Sequence, residues 1–259
     1  MKGVDVNGKK GQIDWRRVRN AGFEFAFVKA TEGRTFDDPR FSFNRRAAKA
    51  AGLKVGAYHF ARPDNNTPEA EAHHFLRVAR PRRGELLPVL DWETDPPTAS
   101  WAVRFLETVE HAIGAAPIFY TFPDFLRRTG SFGQLRRFPL WYARYGLNDG
   151  GVHPATPPQG FKFAVHQFTS RGHVPGINGF VDLDLLKLAS LDPLVLRPDA
   201  GLAGVEEAVD EEAVPPESEA ELPENAEDGE GFVGRWAPEK AEDRAHLEDE
   251  TFAAEPAAR

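Results

Sequence analysis

The sequence predicts an α/β protein: an irregular single-domain β/α barrel, TIM-barrel-like with eight strands and fewer helices, followed by an acidic, mostly disordered tail. Short β-rich apolar runs alternate with segments of helical period, which is typical of parallel β/α architecture. Charge also divides the chain. Residues 200–259 carry 19 acidic and four basic side chains, a balance of -15, whereas the first 199 residues carry 21 and 28, a balance of +7. We therefore expect a basic barrel at 1–195 and a tail at 196–259.

Eight apolar runs have the length and composition of strands. They are residues 3–6, 23–29, 53–60, 87–92, 117–120, 140–143, 161–168 and 180–183. The segments of helical period are residues 14–20, 39–51, 68–80, 98–113 and 123–128. Gly22, Gly52 and Gly114 follow three of these helices, where glycine ends a helix because it accepts a positive φ. Connections after Tyr120 are shorter and less helical, so we expect an irregular second half.

The tail is rich in Glu, Ala and Pro and lacks the sustained apolar periodicity that would bury a core. We expect a solvated, mostly disordered segment with at most one short helix, at 238–251. A segment of this charge could also dock a protein partner, such as a component of a phage particle.

Composition excludes several classes of protein. The chain has no cysteine, which rules out disulfide frameworks, cysteine nucleophiles and thiolate zinc sites. It has no run of 18 apolar residues and begins with a polar segment, so we expect synthesis in the cytoplasm without a signal peptide and no insertion into a membrane. Lysine and arginine are dispersed, so we do not expect a nucleic-acid partner.

Carboxylates stand at the ends of several predicted strands. In a parallel barrel the loops at the carboxyl ends of the strands form the active face. Asp5, Asp91, Glu93 and Asp182 all lie at or near predicted strand ends. Asp91 and Glu93 alternate, so they would project to one side with their Cα atoms roughly 6 to 7 Å apart. A carboxyl group near another, or in an apolar pocket, has a raised pKa, and this keeps a general acid protonated near neutrality.

Two other interpretations of the acid pair remain open: an exposed strand end with two solvated acids, and a divalent metal site. The histidines show no ligand spacing such as His-x-x-x-His, so we expect no metal and no cofactor. Acid pairs over an aromatic cleft are typical of glycoside hydrolysis. Tyr58, Phe60, Tyr120 and Trp141 lie at or near strand ends and are candidates to stack on sugar rings, although each could equally pack in the core.

Seven sequence blocks add a family resemblance, because they occur in the order found in one family and span residues 1 to about 190. They are Gly-Val-Asp at 3–5, Ile-Asp-Trp at 13–15, Phe-Ala-Phe-Val-Lys-Ala-Thr-Glu-Gly at 25–33, Ala-Gly-Leu-Lys-Val-Gly-Ala-Tyr-His-Phe at 51–60, Pro-Val-Leu-Asp-Trp-Glu at 88–93, Pro-Leu-Trp-Tyr-Ala-Arg-Tyr-Gly at 139–146, and Gln-Phe-Thr-Ser at 167–170 with Val-Asp-Leu-Asp at 181–184. With these blocks the sequence resembles the family 25 glycoside hydrolases, the Chalaropsis-type lysozymes or N-acetylmuramidases of phage endolysins and bacterial autolysins.

The resemblance implies a barrel that cleaves the β-1,4 bond between N-acetylmuramic acid and N-acetylglucosamine in peptidoglycan, with retention and with help from the substrate's N-acetyl group. It implies that Glu93 is the general acid and Asp91 its partner, with Asp5 and Asp182 as the aspartates of the first and last strands. Gln167, which begins the Gln-x-Thr-Ser block, joins the expected substrate-binding residues.

The partner implied is the peptidoglycan glycan strand, and the place of action is the bacterial cell wall, reached by release at lysis or on a phage particle. The chain departs from the family's usual residues at 6–8, after the first aspartate, and at His166. Those differences and the tail leave one alternative open, a glycan-binding or structural phage-particle component with weak or no hydrolysis.

Overall fold

The computed structural model describes residues 1–130 and 132–197, so nearly all of the predicted tail, with its expected helix at 238–251, lies outside the described residues. The strands are β1 Lys2–Val6, β2 Phe23–Glu32, β3 Phe36–Asp37, β4 Lys54–Phe60, β5 Val89–Asp91, β6 Ile118–Thr121, β7 Pro139–Ala143, β8 Lys162–Gly172 and β9 Val181–Leu186. The α-helices are α1 Trp15–Asn20, α2 Phe41–Ala50, α3 Pro68–Ala79, α4 Ala99–Ile113 and α5 Pro123–Arg128.

Eight strands close into a barrel. Their order around the barrel is β1, β9, β8, β7, β6, β5, β4 and β2, and pairing of β1 with β2 completes the circle. The ninth, β3, pairs with the end of β2. Each predicted strand overlaps one strand of the barrel, so the prediction of an irregular eight-stranded β/α barrel is confirmed.

Strand β9 runs antiparallel to both of its neighbours, β8 and β1. The prediction of a parallel sheet is wrong for this strand. The physical reason is the connection: only residues 173–180 link β8 to β9, whereas a parallel crossover needs a dozen residues or more. The reversal brings the beginning of β9 to the end of the barrel where the parallel strands finish.

Aromatic rings fill the barrel interior, and two glycines make room for them. A Cβ atom at Gly3 would lie 2.2 Å from the Phe25 ring, and one at Gly56 would lie 2.9 Å from the Phe27 ring. Phe27 in turn stacks on Trp141 with 4.6 Å between ring centroids. The interior is therefore a packed core, as in other β/α barrels, so an open site forms at an end of the barrel rather than inside it.

Helices α3 and α4 cover the barrel beside β4, and local signals set their ends. The Thr67 side chain accepts from the backbone N–H of Ala70 at 3.3 Å, and Pro68 occupies the first turn of α3. Helix α4 ends where Gly114 takes a φ of 68°. None of the helices in the described ranges is both long enough and apolar enough to cross a membrane.

A buried polar network ties β2 and β4 to α3. Glu71 on α3 is fully buried and accepts from His59 Nε2 at 2.8 Å and from Asn66 Nδ2 at 2.8 Å. It also accepts from the backbone N–H of Arg62 at 3.0 Å. The Thr31 hydroxyl lies 2.8 Å from His59 Nδ1, where it donates to the neutral ring. The network therefore holds the loop that follows β4 against the helix.

This network predicts a loss of stability at mildly acidic pH. Burial lowers the pKa of His59, and the opposing hydrogen bond and charge of Glu71 do not cancel that effect. Because the pKa in the folded state lies below the unfolded value of about 6.5, the unfolded state takes up the proton first as the pH falls. The contribution is full above about pH 6.5 and declines below it, so we expect the free energy of unfolding to be lower at pH 5.5 than at pH 7.5 because of this site.

Urea unfolding at the two pH values measures this difference. The His59→Gln variant keeps a side chain that forms hydrogen bonds but does not titrate in this range, so its unfolding free energy should vary less with pH. An equal pH dependence in the two proteins would contradict the assignment.

Candidate active site

The predicted catalytic carboxylates lie at one end of the barrel. Asp5 is near the end of β1, Asp91 is the last residue of β5, and Glu93 follows two residues later. Asp182 pairs with Asp5 across the antiparallel strands β1 and β9, so the two aspartates are direct neighbours. Asp5, Asp91 and Glu93 are each at most 2% exposed, while Asp182 is half-buried. The structure thus brings all four to the same end of the barrel.

Asp91 and Glu93 flank a tryptophan that points away from the barrel interior. Trp92 is fully buried, and its ring meets Phe125 of α5 edge to face at 4.9 Å. The Trp92 backbone N–H donates to the carbonyl oxygen of Tyr120 at 3.0 Å, which extends the pairing beyond β5. Because successive residues of an extended chain point to opposite sides, Asp91 and Glu93 face the interior together.

A chain of hydrogen bonds crosses the barrel from Asp5 towards Asp91. Gln167 Nε2 donates to Asp5 Oδ2 at 2.7 Å, and Gln167 Oε1 accepts from the Tyr120 hydroxyl at 2.9 Å and from the Tyr145 hydroxyl at 2.8 Å. Tyr120 is the direct neighbour of Asp91 on the paired strand β6. The network from Asp5 thus ends beside Asp91, and we call the end of the barrel that these residues occupy the cleft.

The predicted substrate-binding residues lie beneath and beside these carboxylates. Trp141 contacts Tyr120 with 4.8 Å and Tyr58 with 6.4 Å between ring centroids. All three rings are buried, as is Gln167, so they form the floor of the cleft. Phe60 is the neighbour of Asp91 on β4 and lies beside the acid pair. Direct contact of these five residues with a sugar stays a prediction.

Two further residues belong to the cleft but were not among the predicted site residues. Trp141 Nε1 donates to Asp184 Oδ1 at 2.8 Å, and Asp184 is fully buried. Tyr145 reaches Gln167 from the segment after β7. Asp184 could have been predicted because it alternates with Asp182 along the strand. Tyr145 could have been predicted because it belongs to the sequence block at 139–146.

The residues that the structure describes contain no set of side chains that would support the interpretation as a metal site. Within 1–130 and 132–197, no three His, Asp or Glu side chains are grouped so that they could hold a metal ion. The two buried histidines in β4 and α3, His59 and His74, have other hydrogen-bond partners. His59 bonds Glu71, and His74 lies 2.7 Å from Asp37 and 2.8 Å from the carbonyl oxygen of Gly33.

Known proteins share this sequence and this architecture. The family model described as glycosyl hydrolases family 25 matches residues 4–177. Lysozyme M1 from Streptomyces globisporus is 34% identical over 199 residues, which cover 70% of this chain and 66% of that relative. A bacterial lysozyme structure from Streptomyces coelicolor has a TM-score of 0.69 at 31% identity, and the match covers 76% of this chain and 96% of that lysozyme chain. A muramidase structure from Acremonium alcalophilum has a TM-score of 0.66 at 26% identity, with coverages of 76% and 98%. This chain belongs to glycosyl hydrolase family 25.

Proposed function

We propose that this chain is a peptidoglycan muramidase that hydrolyses the β-1,4 bond between N-acetylmuramic acid and N-acetylglucosamine. The observation that carries the proposal is the acid pair Asp91 and Glu93 at the end of β5, in a cleft shared with Asp5. The names of the relatives, lysozyme and muramidase, support the substrate. The comparisons give no support to the alternative of a phage-particle component with weak or no hydrolysis.

Glu93 acts first as the general acid. Its proton passes to the glycosidic oxygen as the bond from that oxygen to the anomeric carbon breaks, so the leaving sugar departs as a neutral alcohol. The carbonyl oxygen of the substrate's own acetamido group forms the new bond to the anomeric carbon, which gives a cyclic oxazolinium intermediate. Water then attacks that carbon, the oxazolinium ring opens to restore the acetamido group, and the Glu93 carboxylate takes the proton from water. Two displacements at one carbon retain the configuration.

Asp91 orients the acetamido group and stabilises the positive charge that develops on it. A carboxylate fixed beside the place where charge develops lowers the barrier because no solvent has to reorganise. The chain from Asp5 through Gln167 to Tyr120 keeps the wall of the cleft next to Asp91 in place. Asp5 and Asp182 act as neighbours that shape the cleft, with the Trp141 ring as its floor.

Charge favours the encounter with this substrate. The first 199 residues carry a balance of +7, and bacterial walls are polyanionic, so the barrel is attracted to them most strongly at low salt. The proposed place of action is therefore the bacterial cell wall, reached by release at lysis or on a phage particle. A protein partner for the tail stays a prediction, because those residues lie outside the described part of the chain.

Identification of the new reducing ends tests the reaction. Purified peptidoglycan is digested with the protein, the ends are reduced with borohydride, and the sugars are separated after acid hydrolysis. We expect reduced muramic acid to accumulate. Reduced glucosamine would show that the neighbouring bond is cut instead, and glycan binding without new reducing ends would favour the non-hydrolytic alternative.

A further inference from the structure

Two cations share one carboxylate close to the acid pair. The 25–33 block contributes Lys29 and Glu32, and Arg62 follows β4. Lys29 Nζ lies 2.5 Å from Glu32 Oε2, and Arg62 donates through Nε at 2.8 Å and Nη2 at 2.7 Å to Glu32 Oε1. The three side chains are partly buried, with 11%, 17% and 27% exposure for Lys29, Glu32 and Arg62. We call these three residues the cationic cluster.

Strand register places the cationic cluster beside the cleft. Glu32 pairs with Phe60 across β2 and β4, and Phe60 pairs with Asp91 across β4 and β5. Glu32 and Asp91 are thus two strand spacings apart, about 10 Å between backbones. Lys29 Nζ lies 4.7 Å and the Arg62 guanidinium 4.8 Å from the centroid of the Phe60 ring. Both cations therefore border the same aromatic side chain next to the acid pair.

The cationic cluster carries one excess positive charge. Burial raises the pKa of Glu32, but the adjacent Lys29 and Arg62 outweigh burial and lower it overall, so this carboxylate is ionised at neutral pH. Among the described residues, Lys29 Nζ donates to Glu32 alone, although an ammonium group has three N–H donors. Donors held in a partly buried place favour an anionic acceptor from a ligand, because water can satisfy them only incompletely.

Arg62 is held in position rather than free on the surface. Its backbone N–H donates to both oxygens of the fully buried Glu71, at 3.2 and 3.0 Å. Its carbonyl oxygen accepts from Asn66 Nδ2 at 3.1 Å. A cation fixed before the ligand arrives loses little conformational entropy on binding. The network around Glu71 thus prepares Arg62 for recognition of an anion.

We propose that Lys29 and Arg62 bind a carboxylate of the muramic acid unit and thereby select muramic acid polymers over polymers of N-acetylglucosamine alone. This inference rests on the proposed muramidase function and names the chemical group of the substrate that the enzyme recognises. The two sugars differ in the lactyl ether of muramic acid, which bears a carboxyl group that is either free or linked to the stem peptide. The anion is therefore the lactyl carboxylate or a free carboxylate of that peptide. Arginine suits this task because its planar donors match a carboxylate.

The test pairs a protein variant with a chemical change in the substrate. A peptide-free glycan with free lactyl carboxylates is compared with the same glycan after conversion of the carboxylates to neutral methyl amides. We expect the wild-type kcat/KM to fall about tenfold on amidation, as for loss of a charge-assisted hydrogen bond. Arg62→Gln should lose about tenfold on the carboxylate glycan and show no further loss on amidation.

Three controls keep the proposal falsifiable. Arg104→Gln removes an exposed arginine that pairs with Glu69 on the outer helices. This variant should prefer the carboxylate glycan over the amidated glycan by the same factor as the wild type. Lys29→Gln provides a second variant if Arg62→Gln fails to fold, as judged by circular dichroism. A glycan that keeps its stem peptides separates the two carboxylate sources: full wild-type rates on it, with sensitivity to Arg62→Gln, assign the peptide carboxylate, and reduced rates assign the lactyl group.

Equal wild-type rates on all three glycans, or an Arg62→Gln variant that still discriminates tenfold, would overturn the proposal. Calorimetric affinity for the carboxylate and amidated glycans separates it from the proposed function. If the wild type hydrolyses neither glycan but binds the carboxylate form about tenfold more tightly, the muramidase function fails and the anion site stands. Equal affinities for the carboxylate, amidated and peptide-bearing glycans, with equal rates on all three, reject the anion site while leaving hydrolysis intact.

Discussion

Glu93→Gln is expected to lower kcat on purified peptidoglycan by about 10³-fold. Glutamine has nearly the shape of glutamic acid, but its amide cannot donate a proton to the leaving oxygen or take one from water. Both steps of the proposed mechanism lose their proton-transfer group, while the buried position two residues after β5 stays filled. The release of new reducing ends measures the rate.

A matched control for this variant is Glu107→Gln. Glu107 lies on α4, and its exposed side chain contacts Arg137 at 3.3 Å on the outside of the barrel. We expect this variant to keep wild-type activity, and both variants to melt at the wild-type temperature. A Glu93→Gln protein with near wild-type kcat would remove Glu93 from the mechanism.

Asp91→Asn is expected to lower kcat by about 10²- to 10³-fold, with a much smaller change in KM. Asparagine retains the size of the side chain but not its negative charge, so it cannot stabilise the positive charge on the acetamido group in the transition state. Initial rates over a range of peptidoglycan concentrations separate kcat from KM.

Asp95→Asn serves as the control for Asp91→Asn. Asp95 is four residues away, and its exposed carboxylate contacts Arg128 at 2.7 Å outside the cleft. Its removal should leave kcat unchanged. A rise in KM without a fall in kcat at Asp91→Asn would instead mean that Asp91 binds the ground state and the transition state equally and gives no selective stabilisation of the transition state.

The barrel could be predicted from the sequence because its strands and helices differ in local pattern. The predicted run at 23–29 lies within β2 Phe23–Glu32, and the predicted helix at 123–128 coincides with α5. The direction of β9 could not be predicted in the same way. Local pattern identifies a strand but not its partners, and here the short connection at 173–180 decided between a parallel and an antiparallel neighbour.

The candidate site was predictable where it depends on neighbours in sequence. Asp91 and Glu93 stand in one short motif, so alternation alone places them together. The bond from Trp141 to Asp184 spans 43 residues, and the bond from Tyr145 to Gln167 spans 22. Such pairings depend on how the barrel closes, and no local pattern encodes them.

The most direct test of the account is the rate of Glu93→Gln and Asp91→Asn on two substrates with different leaving groups. One substrate is peptidoglycan. The other is a disaccharide that ends in N-acetylmuramic acid and bears a dinitrophenolate leaving group, which departs without protonation. We expect Glu93→Gln to recover most of its loss in the first turnover of the dinitrophenyl substrate, because only the acid step is bypassed. Asp91→Asn should stay impaired on both substrates. An equal loss for Glu93→Gln on both substrates would contradict its role as the general acid.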